Sequence, residues 1–257
     1  MAILSKFKVF DSHFHIIDEN FPLVSNQGFL PDFYPISDYL ERTRDYNIVG
    51  GAIVSASFQG FDQTYLLAAL KALGPTFVGV AQLPPEVSDD ELIRLNAAGV
   101  RAVRFNLRRG GFEEIENLER FAKRLYEMLG WHAEIYVDST ALSALRKTLV
   151  KLPSLSIDHL GLSKAGYSDL LYLVEYGARI KATGFGRVDF DVKQAIKEIS
   201  AINTNALLFG TDLPSTRVLK PYSDEDFLMV IEAIGERMAR KVFYENAINF
   251  YRPQEMA

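Results

Sequence analysis

The sequence contains no cysteine, which excludes disulfide bonds and thiolate-bound metal sites. No apolar run approaches the ~20 residues needed to span a membrane, and the N-terminus lacks the apolar core of about 7–15 residues that marks a signal peptide. Histidine is also scarce, since only four occur in 257 residues. These absences predict a cytoplasmic protein without a membrane segment, and they make the position of each histidine informative.

Positive charge is neither abundant nor concentrated. Lys and Arg number 28 against 33 Asp and Glu, which gives a formal net charge of −5, and no run of basic residues occurs. A nucleic-acid-binding surface needs clustered positive charge, so the composition argues against a nucleic-acid partner. A small-molecule substrate is the expected partner, and assembly into a homo-oligomer stays open.

Short apolar segments alternate with amphipathic helical segments along the whole chain. Most of the apolar segments are near-continuous, which is typical of parallel strands buried on both faces. Ser88-Asp89-Asp90-Glu91 has the pattern of a helix-opening capping box, one helix is predicted to end near Gly235, and a last helix is predicted over Arg237–Phe250. The predicted strands are Lys8–Ser12, Val49–Ser55, Thr76–Gln82, Val100–Asn106, His132–Val137, Leu155–Asp158, Ala178–Ala182 and Ala206–Phe209.

Eight such strands alternating with helices predict a parallel α/β protein, and their number favours a single closed (β/α)8 TIM barrel over an open sheet. No glycine-rich phosphate-binding turn follows the first strand, which disfavours a doubly wound nucleotide-binding fold. No linker interrupts the pattern, so residues 1–257 are predicted to form one barrel domain. The long connection 18–38, rich in proline and aromatic residues, is predicted to cover the site as a lid.

Two histidines lie together at the end of the first predicted strand, in Asp11-Ser12-His13-Phe14-His15. Residues two apart in an extended chain point to the same side, so both imidazoles project from one face. Such a pair can hold a metal ion or contact a substrate oxygen, and the motif alone leaves both open. A third histidine, His132, lies at the beginning of a strand and is expected to be structural.

Polar residues also follow most of the other predicted strands, at the end where TIM barrels place their active sites. Arg104 stands in an otherwise apolar strand, and a buried guanidinium without a partner is costly, so it must face an anionic ligand or an internal carboxylate. The strand-end residues are Ser55, Ser57, Arg104, Asn106, Arg108, Arg109, Tyr136, Asp138, Asp158, His159, Thr183, Arg187, Thr211 and Asp212.

Three motifs at strand ends together resemble the amidohydrolase superfamily over nearly the whole chain. They are His13-Phe14-His15, Asp158-His159-Leu160-Gly161 and Gly210-Thr211-Asp212. The stretches 54–62, 100–106, 130–136 and 181–187 make the sequence most similar to the lactonases related to 2-pyrone-4,6-dicarboxylate lactonase. The resemblance implies a hydrolase that opens a small carboxylate-bearing lactone.

The resemblance also implies roles for individual residues. Asp212 would be the base that activates water, and His13, His15 and His159 would contact the substrate. The expected substrate-binding residues are Ser57, Arg104, Tyr136 and Arg187, with Tyr34 from the first connection; Arg108 is a further candidate for binding a carboxylate. These lactonases work without a metal ion, so no cofactor is expected.

A metal-dependent amidohydrolase or decarboxylase of the same superfamily is the main alternative. One divalent ion, Zn²⁺ or Mn²⁺, would then be held by His13, His15 and Asp212. Metal-dependent members usually end the fifth strand with a histidine, whereas this sequence has Tyr136 there. The tyrosine therefore favours the metal-independent interpretation.

The identity of the substrate is the other open point. The sequence departs from the lactonase pattern at Gly110, at Gly161-Leu162-Ser163-Lys164 and at Leu213. A different lactone, such as a sugar lactone, is therefore an alternative substrate. A barrel that binds a small acid without turning it over is an alternative of another class.

Overall fold

The computed structural model describes residues 3–109 and 115–254. Its strands form one eight-stranded parallel sheet in which each strand pairs with the next in sequence. They are β1 (Lys8–Phe14), β2 (Asn47–Val54), β3 (Phe77–Ala81), β4 (Val100–Asn106), β5 (His132–Tyr136), β6 (Leu155–Ile157), β7 (Arg179–Ala182) and β8 (Leu207–Phe209). The predicted (β/α)8 barrel is confirmed, and every predicted strand overlaps an observed one.

Backbone hydrogen bonds just beyond β8 connect the two ends of the sheet. The amide of Asp212 donates to the carbonyl of His13 at 2.7 Å, and the amide of His15 donates to that of Leu213 at 2.8 Å. Gly210 permits this contact, because a Cβ there would lie 2.7 Å from the amide nitrogen of His13. The seam of the barrel therefore sets the histidine pair against the aspartate.

Helices cover the outside of the sheet. They are α1 (Ile36–Thr43), α2 (Thr64–Leu73), α3 (Asp89–Ala97), α4 (Ile115–Leu129), α5 (Leu142–Leu149), α6 (Tyr167–Glu175), α7 (Val192–Ile202), α8 (Asp224–Arg240) and α9 (Asn246–Tyr251). Ser88 caps α3 as predicted, since its side chain accepts a hydrogen bond from the amide of Glu91. None of the helices within 3–109 and 115–254 has the length and apolar character needed to cross a membrane.

The last part of the chain follows the prediction at Gly235 and differs from it in the helix that comes after. The backbone of Gly235 is not helical, with φ 72° and ψ 161°, so α8 consists of two helical parts that meet at a kink at this glycine, where one helix was predicted to end. A turn of π-helix over Lys241–Glu245 then separates α8 from α9. The predicted helix over Arg237–Phe250 is therefore divided among three helical segments.

Alternation along the strands divides the side chains into two sets. In β2, Ile53 packs in the large core against the helices, whereas Ala52 and Val54 belong to a separate inner cluster. Tyr251 of α9 joins that inner cluster and stacks on Phe10, with ring centroids 5.3 Å apart. The same alternation turns one charged side chain inward from each of three strands: Arg104 in β4, Glu134 in β5 and Lys181 in β7.

Candidate active site

Three histidine side chains surround one carboxylate at the carboxyl end of the barrel. The Nε2 atoms of His15, His13 and His159 lie 3.7, 3.8 and 4.0 Å from Oδ1 of Asp212. The His13 ring lies between the other two, with centroids 5.1 Å from His15 and 4.8 Å from His159. All four side chains are buried. The structure thus brings together the four residues that the sequence assigned to catalysis.

The backbone at this cluster is strained. Asp212 and His159 both have left-handed conformations, with φ of 60° and 52°. Such values are uncommon outside glycine, although aspartate tolerates them better than most residues. Gly184 closes the cluster, because a Cβ there would lie 2.6 Å from Nδ1 of His159 and 3.0 Å from Oδ2 of Asp212. Backbone strain of this kind concentrates at functional sites.

Arg187 holds the second oxygen of the same carboxylate. Its Nε and Nη2 atoms lie 2.8 and 2.7 Å from Oδ2 of Asp212, and Nη2 also donates to the carbonyl of Thr216. Burial raises the pKa of Asp212, but Arg187 and His159 outweigh burial and hold that pKa well below its usual range. Asp212 is therefore ionised at neutral pH, and its Oδ1 makes no hydrogen bond within the described part of the chain.

Burial favours the neutral forms of His13 and His159. Burial lowers the pKa of His159 to about 4, although the charge of Asp212 opposes the shift. Burial and the charge of Lys181 lower the pKa of His13 well below its usual value. In His15, Nδ1 lies 2.7 Å from the carbonyl oxygen of Val54, which can only accept, so Nδ1 carries a proton, and in the neutral ring Nε2 presents its lone pair to the cavity.

The neutral state of His159 predicts that acid destabilises the fold. Between pH 6.5 and pH 4 the unfolded chain binds a proton at His159 that the folded chain does not. The stability that depends on a neutral His159 is therefore complete above pH 6.5 and is lost as the pH falls toward 4. We expect His159 to account for a loss of about 2 kcal/mol in the free energy of unfolding between pH 7 and pH 5. Urea unfolding of the wild type and of His159→Asn at both pH values measures it.

Burial raises the pKa of Asp11 to about 6, so Asp11 makes an opposite contribution to the pH dependence of stability. This contribution is present in both proteins and cancels when they are compared. Asparagine is suitable at position 159 because it tolerates a positive φ. Equal acid sensitivity in the wild type and the variant would contradict a neutral His159.

Asp11 joins the two strand ends that carry the site. Its carboxylate accepts hydrogen bonds from the amide and the hydroxyl of Thr211, at 2.9 and 2.7 Å, and from the hydroxyl of Tyr39 at 3.2 Å. It also accepts from the amide of His13. Asp11 therefore fixes the backbone around the catalytic candidates and does not itself line the cavity.

Arg104 is paired with an internal carboxylate. Its Nε and Nη2 atoms donate to Oδ2 of Asp158 at 3.0 and 2.8 Å, and Nη1 donates to the carbonyl of Ser55 at 3.0 Å. The guanidinium lies over the ring of Tyr136, 4.8 Å from its centroid. Of the two partners that the sequence left open for Arg104, the structure shows the carboxylate, while the side chain also reaches the cavity wall.

A small cavity above Asp212 continues into a wider recess. The cavity is lined by His15, Ala56, Ser57, Arg104, Asn106, Arg109, Tyr136, His159, Arg187, Asp212 and Arg217. Arg109, Tyr136, Arg187 and Arg217 also line the recess, together with Arg108. We call Arg108, Arg109, Arg187 and Arg217 the arginine entrance. Four positive charges around one opening favour an anionic ligand.

The first long connection contacts the arginine entrance. Arg217 donates to the carbonyl of Asn26 at 2.6 Å and lies 4.3 Å from the ring centroid of Phe29. Arg109 donates to the side chain of Gln27 at 3.3 Å. These contacts place part of the connection 18–38 over the opening, and its action as a lid stays a prediction.

One predicted binding residue, Tyr34, lies elsewhere than the sequence indicated, and one residue that was not predicted, Arg217, lies at the site. Among the described residues, Tyr34 does not line the cavity or the recess; its hydroxyl donates to the carbonyl of Asp38, and its backbone pairs with Ile17. Arg217 does line both, although the sequence gave no reason to select it, because it lies in a loop several residues past β8 where no periodicity applies. Gly110 lies outside the described residues.

A buried charge network lies directly under the histidines. Lys181 Nζ lies 2.5 Å from Oε2 of Glu134, 3.3 Å from Nδ1 of His13 and 3.8 Å from Oδ1 of Asp158. The hydroxyl of Tyr251 donates to the other oxygen of Glu134 at 2.6 Å. Sequence reasoning missed Lys181 and Glu134, although both are charged residues in apolar strands, which is the signal that identified Arg104.

The fourth histidine belongs to the lower side of this network. Nε2 of His132 lies 3.2 Å from Oε1 of Glu134, and its ring packs against Phe250 and Tyr251. Its contacts are therefore structural ones, away from the cavity.

Two groups of described side chains have the spacing of a cation site: His13 with His159 and Asp212, and His13 with Glu134 and Asp158. The first differs from the set considered from sequence by having His159 in place of His15. In both groups the carboxylates already have cationic partners. These partners are Arg187 for Asp212, Arg104 for Asp158 and Lys181 for Glu134. A divalent ion at either group would meet carboxylates whose charge is already compensated, which disfavours a resident metal.

Comparison with known proteins places the chain among hydrolases. The sequence model of the amidohydrolase family matches residues 10–252. The 2-pyrone-4,6-dicarboxylate hydrolase of Comamonas testosteroni is 26% identical over 284 residues, covering 96% of this chain and 90% of the relative. The 4-sulfomuconolactone hydrolase of Hydrogenophaga intermedia is 23% identical over 262 residues, covering 92% of this chain and 86% of the relative.

Solved structures share the fold. A crystal structure from Acinetobacter baumannii, named as a probable 2-pyrone-4,6-dicarboxylic acid hydrolase with citric acid bound, superposes with a TM-score of 0.83 at 20% identity, covering 95% of this chain and 99% of that one. An Agrobacterium tumefaciens protein solved without ligand gives a TM-score of 0.84 at 19% identity, covering 98% of both chains.

Proposed function

Since the chain belongs to the amidohydrolase family, we propose that its site opens the ring of a small carboxylate-bearing lactone, with Asp212 as the base that activates water. The chain is a hydrolase of lactonase type. Two of its curated relatives are named for a pyrone dicarboxylate and a sulfomuconolactone, which are both cyclic esters with anionic groups. The observation that carries the proposal concerns Oδ1 of Asp212, which has no hydrogen-bond partner among the described residues and faces three imidazole Nε2 atoms at 3.7–4.0 Å.

The proposed reaction begins with a water molecule held beside Asp212. Oδ1 of Asp212 takes a proton from the water while the water oxygen forms a bond to the carbonyl carbon of the lactone. The ring C–O bond then breaks, and the proton passes from Asp212 to the leaving ring oxygen, which yields the open hydroxy acid. His15 supports this step, because its Nε2 lone pair can accept the second hydrogen of the water.

The developing negative charge on the carbonyl oxygen needs hydrogen-bond donors. His13 and His159 supply them in this proposal, since both rings are buried beside Asp212. Donors held in place in a site that excludes water stabilise an oxyanion far more than water does.

The carboxylate of the substrate would bind at the arginine entrance. Guanidinium groups bind carboxylates strongly, and Arg187, whose Nε and Nη2 are bound to Asp212, would contact the substrate carboxylate through Nη1. Arg104, Ser57 and Tyr136 line the same cavity and are the further binding candidates. Arg108 lies at the outer rim, in the recess.

The arginine entrance predicts a preference between related substrates. Of two lactones that differ only in a carboxylate, the carboxylated one should show a kcat/KM about 10- to 100-fold higher, because charged hydrogen bonds stabilise its complex. A neutral sugar lactone serves as the second comparison. Steady-state rates measured by proton release give the ratio, and equal rates for charged and neutral lactones would contradict this substrate class.

The same assay tests the reaction class and the proposed independence from metal. We expect protein treated with a chelator to release protons from a carboxylated lactone at the untreated rate. Loss of activity that Zn²⁺ or Mn²⁺ restores would instead establish the metal-dependent alternative. Release of carbon dioxide would identify a decarboxylase, and saturable binding without proton release would identify a non-catalytic binder.

A further inference from the structure

We propose that the ammonium group of Lys181 is a built-in substitute for a metal ion, and that it fixes the proton of His13 on Nε2, where it can serve as a hydrogen-bond donor. Lys181 would thus be a positioning residue that acts through His13. The donation to a substrate oxygen rests on the proposed function, whereas the position of the proton does not.

The first observation is where the ammonium lies. His13, Glu134 and Asp158 have ligand atoms within 4.8 Å of one another, which is the spacing of a cation site. Nζ of Lys181 contacts an atom of each, at 3.3, 2.5 and 3.8 Å. A fully buried ammonium therefore stands where this group of ligands would hold a metal ion.

The second observation is the direction of the hydrogen bond to His13. An ammonium group can only donate, so Nδ1 of His13 must accept with its lone pair, and the proton of the neutral ring is on Nε2. The competing arrangement would place the proton on Nδ1, facing Oδ1 of Asp158 at 3.5 Å. A proton on Nδ1 would also point toward the positive charge of Lys181.

The third observation is the contrast with the neighbouring ring. Nδ1 of His15 carries a proton that is bound to the carbonyl of Val54, so in the neutral ring Nε2 presents a lone pair to the cavity. His13 presents N–H instead, and its Nε2 makes no hydrogen bond among the described residues, so it is available to a ligand. One imidazole of the pair therefore accepts and the other donates. Since a protonated Nε2 cannot coordinate a metal, the same device disfavours metal binding at Asp212.

Glu134 holds the ammonium in this position. Its two oxygens are bound by Lys181 and by the hydroxyl of Tyr251, which comes from α9. The carboxylate cannot turn away from Lys181 without losing one of these partners. Tyr251 of α9 thus helps to orient the imidazole of His13, through Glu134 and Lys181.

Histidine ¹⁵N NMR spectroscopy of the wild-type protein tests the proton position directly. The chain has only four histidines, and His13→Asn identifies the signals of His13. We expect an unprotonated Nδ1 and a protonated Nε2. In Lys181→Met the proton should move to Nδ1, toward Asp158. Protonated Nδ1 in the wild type, or an unchanged proton position in the variant, would overturn the proposal.

Lys181→Met leaves Glu134 without its cation, and this change could prevent folding. The double variant Lys181→Met, Glu134→Gln removes both charges with little change in volume, and should fold and show the same proton shift. For a lactone that the wild type opens, we expect its kcat to fall about 10²- to 10³-fold while KM changes little, as when one oxyanion donor is lost. A similar fall without a proton shift would show a merely structural role and overturn the proposal.

Equilibrium dialysis with Zn²⁺ tests the substitution for a metal ion. Lys181→Ala vacates the position of the ammonium and should bind one Zn²⁺ per chain, whereas the wild type should bind none. Lys181→Ala, Glu134→Gln is the matched control, because it opens the same space but lacks a carboxylate ligand, and it should bind more weakly. If Lys181→Ala binds no more Zn²⁺ than the wild type, Lys181 does not occupy a cation site. Neither the NMR nor the dialysis experiment needs a substrate, so an absence of lactonase activity would contradict the proposed function alone.

Discussion

Asp212→Asn is expected to lower the kcat for lactone hydrolysis about 10⁴-fold, the upper range for loss of a general base. The amide has almost the same shape as the carboxylate but has no lone pair basic enough to take a proton from water. The fold should persist, because asparagine tolerates the positive φ of this position as well as aspartate does. Stopped-flow or steady-state proton release, with circular dichroism to verify folding, measures the effect.

Asp191→Asn is the matched control for this substitution. Asp191 caps α7 by accepting a hydrogen bond from the amide of Gln194, and asparagine caps helices equally well. The control also removes one carboxylate, from the connection between β7 and α7, and its kcat should equal that of the wild type. Turnover by Asp212→Asn at a rate close to that of the control would remove Asp212 from the mechanism.

Arg187→Met is expected to lower both stability and kcat/KM. At neutral pH the buried carboxylate of Asp212 would lose its cation, which costs about 3–5 kcal/mol in the free energy of unfolding. The variant would also lose a carboxylate-binding guanidinium, so kcat/KM should fall about 10- to 100-fold.

The pH profile of the same variant carries a further signature. In the wild type, Arg187 is the largest influence that lowers the pKa of Asp212 against the effect of burial. Without it, that pKa rises, and Asp212 becomes protonated as the pH falls. We therefore expect an acid limb in the kcat/KM profile of Arg187→Met, on which activity falls with falling pH.

Arg187→Lys separates charge from geometry. Lysine keeps the positive charge beside Asp212 but cannot form two parallel hydrogen bonds with a carboxylate. Its profile should stay flat where that of Arg187→Met falls, although its kcat/KM should be below that of the wild type. Identical pH profiles for all three proteins would show that Arg187 does not control the ionisation of Asp212.

The barrel could be predicted because its strands are buried on both faces and so appear as separate apolar runs. The position of His13 and His15 could be predicted as well, because alternation in a strand places residues two apart on one face. The break at Gly235 could be predicted too, because glycine adopts a positive φ without strain, whereas the turn of π-helix over Lys241–Glu245 could not.

The charge network inside the barrel depends on which strands face each other. The sequence showed that Arg104 needs an anion, but only the folded barrel shows that the anion is Asp158 from two strands away. The pairing of Lys181 in β7 with Glu134 in β5 likewise depends on which strands face each other inside the barrel. The position of Arg217 depends on a loop, for which the sequence carries no periodic signal.

The most direct test of the proposed hydrolytic site is a crystal structure of Asp212→Asn with an unreacted carboxylated lactone bound. In the proposed mechanism, the carbonyl oxygen of the lactone lies within hydrogen-bond distance of Nε2 of His13 or His159. The carboxylate of the lactone lies against Arg187, and a water molecule lies beside residue 212. A lactone bound elsewhere, or one whose carbonyl points away from the three imidazoles, would contradict the assignment of this site to hydrolysis.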